Sequence, residues 1–93
     1  MAVTVLIPTP LRKLTNEQEK VTVEGLSVGE VIDALGRQYP GIQDRICDAD
    51  GELRRFVNVY VNGEDVRFEG GKAAAVKDGD EVSIVPAIAG GRV

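Results

Sequence analysis

A single helix gives the clearest local signal in this 93-residue chain, and it limits the folds that the other residues can build. Ser27 and Glu30 have the S-x-x-E spacing of a capping box, in which both side chains bond N–H groups at the start of a helix. Apolar residues then recur at helical spacing and form one stripe, at Val28, Val31, Ile32, Leu35 and Tyr39. Pro40 and Gly41 end this pattern. A helix with one apolar face needs a second layer to cover it.

Two positions refine this helix. Leu26, before the cap, and Val31 are predicted to form a hydrophobic staple. Gly36 weakens a helix interior by roughly 0.5–1 kcal/mol relative to alanine. We therefore expect another element to pack closely against Gly36.

Short apolar or alternating runs on either side of the helix are typical of β-strands. They are predicted at Val3–Ile7, Val21–Glu24, Arg55–Val61, Glu64–Phe68 and Glu81–Val85. Asn62-Gly63 joins the third run to the fourth and indicates a hairpin, because a type I′ turn needs positive φ at both central positions. Leu11–Lys20 is predicted as a polar connection with Leu11 and Leu14 turned inward, and Ile42–Cys47 as a short helical turn.

The order of elements is strand, strand, helix, strand, strand, strand. It predicts an α+β fold in which a mixed sheet of about five strands carries one main helix on one face. A β-grasp, ubiquitin-like arrangement satisfies this order, with the last strand in the middle of the sheet beside the first. We predict a β-grasp domain at residues 1–86 and a flexible C-terminal tail at residues 87–93.

Composition excludes several classes of function. A formal net charge of −4 argues against nucleic-acid binding, which draws on clustered Lys and Arg. No apolar run approaches the roughly 20 residues that span a bilayer, and no signal peptide is visible. We therefore expect a cytoplasmic protein that binds neither nucleic acid nor membrane.

Few residues offer chemistry of their own. The chain has no histidine and a single cysteine, Cys47, which excludes His-activated nucleophiles and a disulfide within the chain. Cys47 is predicted to be a small apolar residue that is buried or half-buried. Gly70-Gly71-Lys72 lacks the first glycine and the Ser or Thr of a phosphate-binding loop and indicates a turn. The acidic groups at 48–52 and 78–81 lack EF-hand spacing, so no metal site and no catalytic residue is predicted.

The C-terminal tail is the remaining candidate. After the last strand come Pro86, Ala87, Ile88, Ala89, Gly90 and Gly91. Two glycines can enter a narrow channel and adopt backbone angles that are closed to other residues. Five steps from Pro86 to Gly91 reach about 16 Å, enough to enter a partner's active site. The alternative is a frayed chain end without function.

Two segments resemble a known family. FVNVYVNGEDVRF (Phe56–Phe68) and DGDEVSIVPAIAGG (Asp78–Gly91) are similar to the ubiquitin-like sulfur carriers, which include the thiamine-pathway carrier and the small subunit of molybdopterin synthase. The likeness extends from about Val3 to Gly91 and is greatest to the carriers of an actinobacterial-type cysteine biosynthesis route.

The resemblance implies that Gly91 carries sulfur. In the family, an E1-like adenylyltransferase and sulfurtransferase consumes ATP to adenylate the terminal carboxylate, which a sulfur donor converts into a thiocarboxylate. Similar carriers pass sulfur to an activated serine on a cysteine-synthase-like enzyme that uses pyridoxal phosphate, and a deubiquitinase-like zinc metalloprotease releases cysteine. The protein itself is then a carrier that binds no cofactor stably, and it is not an enzyme.

The sequence departs from the family pattern after Gly91. Arg92 and Val93 follow, so the Gly91 carboxyl group is in a peptide bond. We expect cleavage between Gly91 and Arg92 to free it. The alternatives are that Arg92-Val93 is an artificial remnant, or that the protein has diverged and no longer carries sulfur. Arg67 and Phe68 are a candidate partner surface, with a structural role as the alternative.

Other functions remain open at this point. They are a ubiquitin-like modifier conjugated through Gly91, a sulfur carrier for molybdopterin or thiamine synthesis, and a non-covalent interaction domain with an idle tail.

Overall fold

The protein, seen in a computed structural model, is described at residues 2–54, 57–68 and 70–86. Its strands are β1 (Ala2–Leu6), β2 (Lys20–Glu24), β3 (Val57–Val61), β4 (Glu64–Asp65) and β5 (Glu81–Pro86), and its α-helices are α1 (Val28–Gln38) and α2 (Ile42–Ile46). Short 3-10 helices occupy Thr9–Thr15, Val66–Phe68 and Gly71–Ala73. The predicted order of strands around one main helix is confirmed within these residues.

Strand β5 lies in the middle of a mixed sheet with the order β2-β1-β5-β3-β4. It pairs in parallel with β1 and antiparallel with β3. Two parallel neighbours cannot be joined by a tight turn, so the chain has to cross over between them. This confirms the prediction that the last strand lies beside the first.

The core lies between the sheet and the helices. Strands β1 and β5 each turn alternate side chains inward, namely Val3 and Val5 from β1 and Val82 and Ile84 from β5. The stripe of α1 meets them with Val28, Val31, Ile32 and Leu35, all buried. The period of two in the strands and of 3.6 in the helix thus produce the two layers of the fold.

The capping box at the start of α1 is confirmed. The Ser27 hydroxyl accepts a hydrogen bond from the Glu30 N–H at 3.2 Å, and the Glu30 carboxylate accepts one from the Leu26 N–H at 2.9 Å. Glu30 thus reaches one residue further back than the standard motif requires. The predicted staple does not bury Leu26, which stays 58% exposed while Val31 is fully buried.

Close packing at Gly36 is also confirmed. A Cβ at this position would lie 2.6 Å from Oε1 and 2.9 Å from Cβ of Gln43 on α2. Helix α2 itself matches the predicted helical turn and buries Ile42 and Ile46 completely. The glycine therefore lets α2 approach α1.

Two connections differ from the sequence-based predictions. The segment Leu11–Lys20 is partly helical, since Thr9–Thr15 forms a 3-10 helix; Leu11 is buried and Leu14 packs against the core, as expected. The predicted return strand Glu64–Phe68 is wrong beyond Asp65. The Asp65 carboxylate accepts a hydrogen bond from the Arg67 N–H at 2.8 Å, and this local bond turns the chain into a 3-10 helix.

The hairpin before that turn is confirmed. Asn62 has φ 51° and Gly63 has φ 89°, the two positive values that a type I′ turn requires. The third strand begins at Val57; the first two residues predicted for it, Arg55 and Phe56, lie outside the described residues.

The N-cap gives a stability test. We expect Ser27→Ala to lower the free energy of unfolding by about 1 kcal/mol, because the Glu30 N–H loses its acceptor. Urea denaturation at equilibrium measures the change. Ser27→Asp keeps an oxygen acceptor and is the matched control, expected to remain near the parent. An alanine variant as stable as the parent would contradict the assigned cap.

Candidate functional site

The candidate site begins where β5 leaves the sheet. The parallel pairing with β1 ends at Leu6 and Ser83, whereas the pairing with β3 continues to Pro86. Ile84–Pro86 therefore extends beyond the β1 ladder with β3 as its remaining strand neighbour among the described residues. The predicted sulfur-carrying and tail residues Ala87–Gly91, and the predicted cleavage site at Gly91 and Arg92, lie outside the described residues.

The register explains why proline is accepted at the end of β5. The Asn62 N–H donates to the Glu81 carbonyl at 2.8 Å, which makes Val61 and Val82 a non-hydrogen-bonded pair. Such pairs alternate along an antiparallel ladder, so Val57 and Pro86 form another one. Pro86 lacks an N–H, yet at this position it loses no hydrogen bond to β3.

Buried side chains also hold the end of β5 against the core. Val82 and Ile84 are 1% and 3% exposed and lie on the helix side of the sheet. Val85 lies on the opposite side and is 45% exposed. The inward side chains anchor the strand that leads to the tail, and the outward one is accessible beside it.

Arg67 contacts the part of β3 that pairs with this strand end. Its guanidinium donates to the carbonyl oxygens of Val57 at 2.8 Å and Arg54 at 3.1 Å, and to the Asn58 side-chain oxygen. Val57 and Asn58 are the residues that pair with Pro86 and Val85. The structure thus gives Arg67 contacts within the chain near the base of the tail. For Phe68 it describes the backbone, at the end of a 3-10 helix.

Cys47 has the buried position that the sequence predicts. It is 4% exposed, and burial raises the pKa of its thiol, an effect that nearby Lys72 opposes. A thiol kept neutral by burial is a poor nucleophile. Within the described residues, no group of three or more His, Cys, Asp or Glu side chains is placed to hold a metal ion.

A groove of about 390 Å³ lies at the other end of β5, between the β3–β4 hairpin and the segment before β5. The Asp80 carboxylate at its edge accepts hydrogen bonds from the Asn62 amide at 3.0 Å and the Lys77 N–H at 2.8 Å. These two bonds, the Asn62 one first, lower the pKa of Asp80. They tie the hairpin to the start of β5, so this carboxylate has a structural role.

Across the described ranges, no helix is long and apolar enough to cross a membrane.

Comparisons with known proteins agree with this architecture. Residues 5–91 match the ThiS family. The chain is 54% identical to the sulfur carrier protein CysO of Mycobacterium tuberculosis, over 98% of this chain and all of that protein. The crystal structure of M. tuberculosis CysO, described as an antigen, superposes with a TM-score of 0.88 at 52% identity, covering 92% of this chain and 99% of that one.

A second solved structure is similar. A chain in the crystal structure of the Amycolatopsis orientalis BexX/CysO complex superposes with a TM-score of 0.90 at 50% identity, covering 96% of this chain and 99% of that one. The match to the family covers most of the sequence, and the chain belongs to the ThiS family. The fold is the predicted β-grasp.

The buried thiol yields a second prediction. In the native protein, Cys47 should react with an aromatic disulfide reagent much more slowly than in the urea-unfolded chain, because burial disfavours the thiolate and blocks access. Absorbance of the released thiol measures both rates. Ser83→Cys, on the half-buried outer face of β5, gives the matched accessible thiol in a Cys47→Ala background. Equal rates for native and unfolded Cys47 would contradict the assigned burial.

Proposed function

We propose that this protein is a sulfur carrier for cysteine biosynthesis, with Gly91 as the carrying residue. One observation supports this most strongly, the 54% identity to a mycobacterial sulfur carrier protein over 98% of the chain. The match to the ThiS family runs to residue 91, the second glycine of the tail. The protein acts in this proposal as a co-substrate of partner enzymes.

The proposed chemistry explains why a carboxylate at Gly91 is needed. A carboxylate oxygen is a poor leaving group, so the acyl carbon resists attack by sulfur. Attack of this carboxylate on the α-phosphate of ATP releases pyrophosphate and forms an acyl-adenylate. A sulfur nucleophile then displaces AMP and leaves a thiocarboxylate. Both steps occur in an E1-like adenylyltransferase and sulfurtransferase, so ATP is consumed by the partner and the carrier binds no cofactor stably.

The geometry at the end of β5 suits a carrier that presents Gly91 while a partner enzyme performs the chemistry. The inward side chains Val82 and Ile84 fix the strand, and Pro86 ends it in register with β3. From Pro86 the chain reaches about 16 Å to Gly91 if extended, at about 3.3 Å per residue. The folded domain then docks outside a partner while Pro86–Gly90 occupies the channel that leads to its active site. Gly91 has no Cβ to hinder attack at the acyl carbon.

Later steps need further partners. We infer transfer of sulfur to an activated serine on a cysteine-synthase-like enzyme that uses pyridoxal phosphate, and release of the product by a deubiquitinase-like zinc metalloprotease. Such a protease is also suited to cleave between Gly91 and Arg92. Of the predicted partner surface, Arg67 and Phe68, we keep Phe68 as a docking residue, because the Arg67 guanidinium is bonded within the chain to β3. The outward face of β5 is accessible at Val85.

Adenylation tests the role of Gly91. A chain ending at Gly91 should support ATP–pyrophosphate exchange by the E1-like adenylyltransferase of the source organism, whereas the chain ending at Val93 should not, because its Gly91 carboxyl group is in a peptide bond. Cys47→Ala in the chain ending at Gly91 is the control, because it shows whether the thiol takes part. This variant should retain ATP–pyrophosphate exchange.

Two outcomes would contradict the proposal. The first is equal exchange with the chain ending at Val93, and the second is an inert chain ending at Gly91. If adenylation is followed by covalent species of higher mass on a denaturing gel, without thiocarboxylate, the chain is a protein modifier instead.

A further inference from the structure

The edge of β3 is incompletely covered by its neighbour. Strand β4 has two residues and pairs with Tyr60 and Val61. Val57 forms a non-hydrogen-bonded pair with Pro86, and in that register its N–H and C=O point away from β5, toward the β4 side. In the described part of the chain, β4 does not extend far enough to receive them.

Arg67 fills the place that a longer β4 would occupy. Because Asp65 turns the chain after two strand residues, the side chain of Arg67 comes back along the β3 edge. Its guanidinium donates to the Val57 carbonyl at 2.8 Å and to the Arg54 carbonyl at 3.1 Å. The Val57 N–H donates to the same Arg54 carbonyl at 3.0 Å.

The third contact reaches the next residue of β3. The guanidinium also donates to the Asn58 side-chain oxygen. Asn58 and Val85 form a hydrogen-bonded pair by the alternation of the ladder, the last such pair before the tail. The planar guanidinium of Arg67, with its five N–H donors, thus links residues 54, 57 and 58. A lysine ammonium lacks this planar geometry and cannot replace it.

We propose that Arg67 is a positioning residue for the sulfur-loading reaction, through its hold on β3. It keeps the Asn58–Val85 and Val57–Pro86 pairs formed and so fixes where the tail leaves the sheet. Beyond Ser83, β5 no longer pairs with β1, so β3 is the remaining strand neighbour of its last three residues among those described. Ile84 is also held by its burial in the core, whereas the backbone position of Val85 and Pro86 depends on β3. This inference rests on the proposed function, since it assigns Arg67 a part in presenting Gly91.

The mechanism predicts a specific kinetic signature. If β3 frays at Val57 and Asn58, the anchored end of the tail retreats from Pro86 toward the buried Ile84, and the Gly91 carboxylate samples more positions inside the partner. Small misplacements of a reacting group reduce the rate of the chemical step strongly. The folded domain still docks, so KM for the carrier changes little while kcat falls.

The test compares variants of the chain ending at Gly91. With Arg67→Ala we expect kcat for adenylation by the E1-like enzyme to fall by at least about tenfold, with KM nearly unchanged and faster amide hydrogen exchange at Asn58 and Val85. Arg67→Lys should not restore kcat to the parent value. Arg45→Ala, at an exposed arginine on α2, is the matched control and should leave both measurements unchanged.

Two kinetic outcomes would overturn the inference. A raised KM with unchanged kcat would make Arg67 a docking residue, and unchanged kinetics would remove it from the reaction. If Arg67→Ala does not fold, Asn58→Ala is tested instead, since it removes one of the acceptors of the Arg67 guanidinium. It should lower kcat to a smaller extent than the loss of Arg67. Unchanged kcat and unchanged amide hydrogen exchange in this variant would also overturn the inference. A parent chain that is not adenylated at all refutes the proposed function instead, while hydrogen exchange still reports whether Arg67 holds β3.

Discussion

The pairing of β5 with two strands at once is the interaction on which the rest of this fold depends. Its neighbours come from opposite ends of the sequence, β1 in parallel and β3 antiparallel. The parallel contact requires a crossover, and α1 lies between the two strands in sequence and covers the sheet. Val82 and Ile84 then close the core beneath that helix. Without the central strand, the β1–β2 and β3–β4 hairpins would have no shared neighbour.

The same strand connects the fold to its proposed function. The domain offers little chemistry in its described residues: its cysteine is buried and no metal-binding cluster is present among them. The domain contributes to the proposed function by holding Pro86, the residue before the tail, at a defined place in the sheet. A carrier needs this, because its reactive carboxylate has to be presented to more than one enzyme. The reactive group and the stable domain can then be separated by a few small residues.

The sequence predicted the parts of the fold that depend on local chemistry. The capping box, the helical stripe and the Asn62-Gly63 hairpin each require particular residues at fixed spacing, and all three are confirmed. The sequence pattern does not predict the end of β4, because the bond from the Arg67 N–H to the Asp65 carboxylate competes with strand extension. The alternation of apolar and polar residues along a strand does not show whether a side chain will form such a bond.

The contacts of Arg67 were outside the reach of sequence reasoning for a different reason. The sequence predicts Arg67 on a partner surface, with a structural role as the alternative. Its bonds to residues 54, 57 and 58 depend on how the chain after β4 folds back on β3, and no spacing rule encodes that approach. The tail prediction also came from sequence, from its glycines and from the family resemblance.

Intact-mass spectrometry shows directly whether Gly91 takes up sulfur. The chain ending at Gly91 would be incubated with its E1-like partner, ATP and a sulfur donor, and then fragmented. We expect a protein heavier by the mass difference between sulfur and oxygen, with the added mass on the fragment that contains Gly91. An unchanged mass, or sulfur located on Cys47, would contradict it.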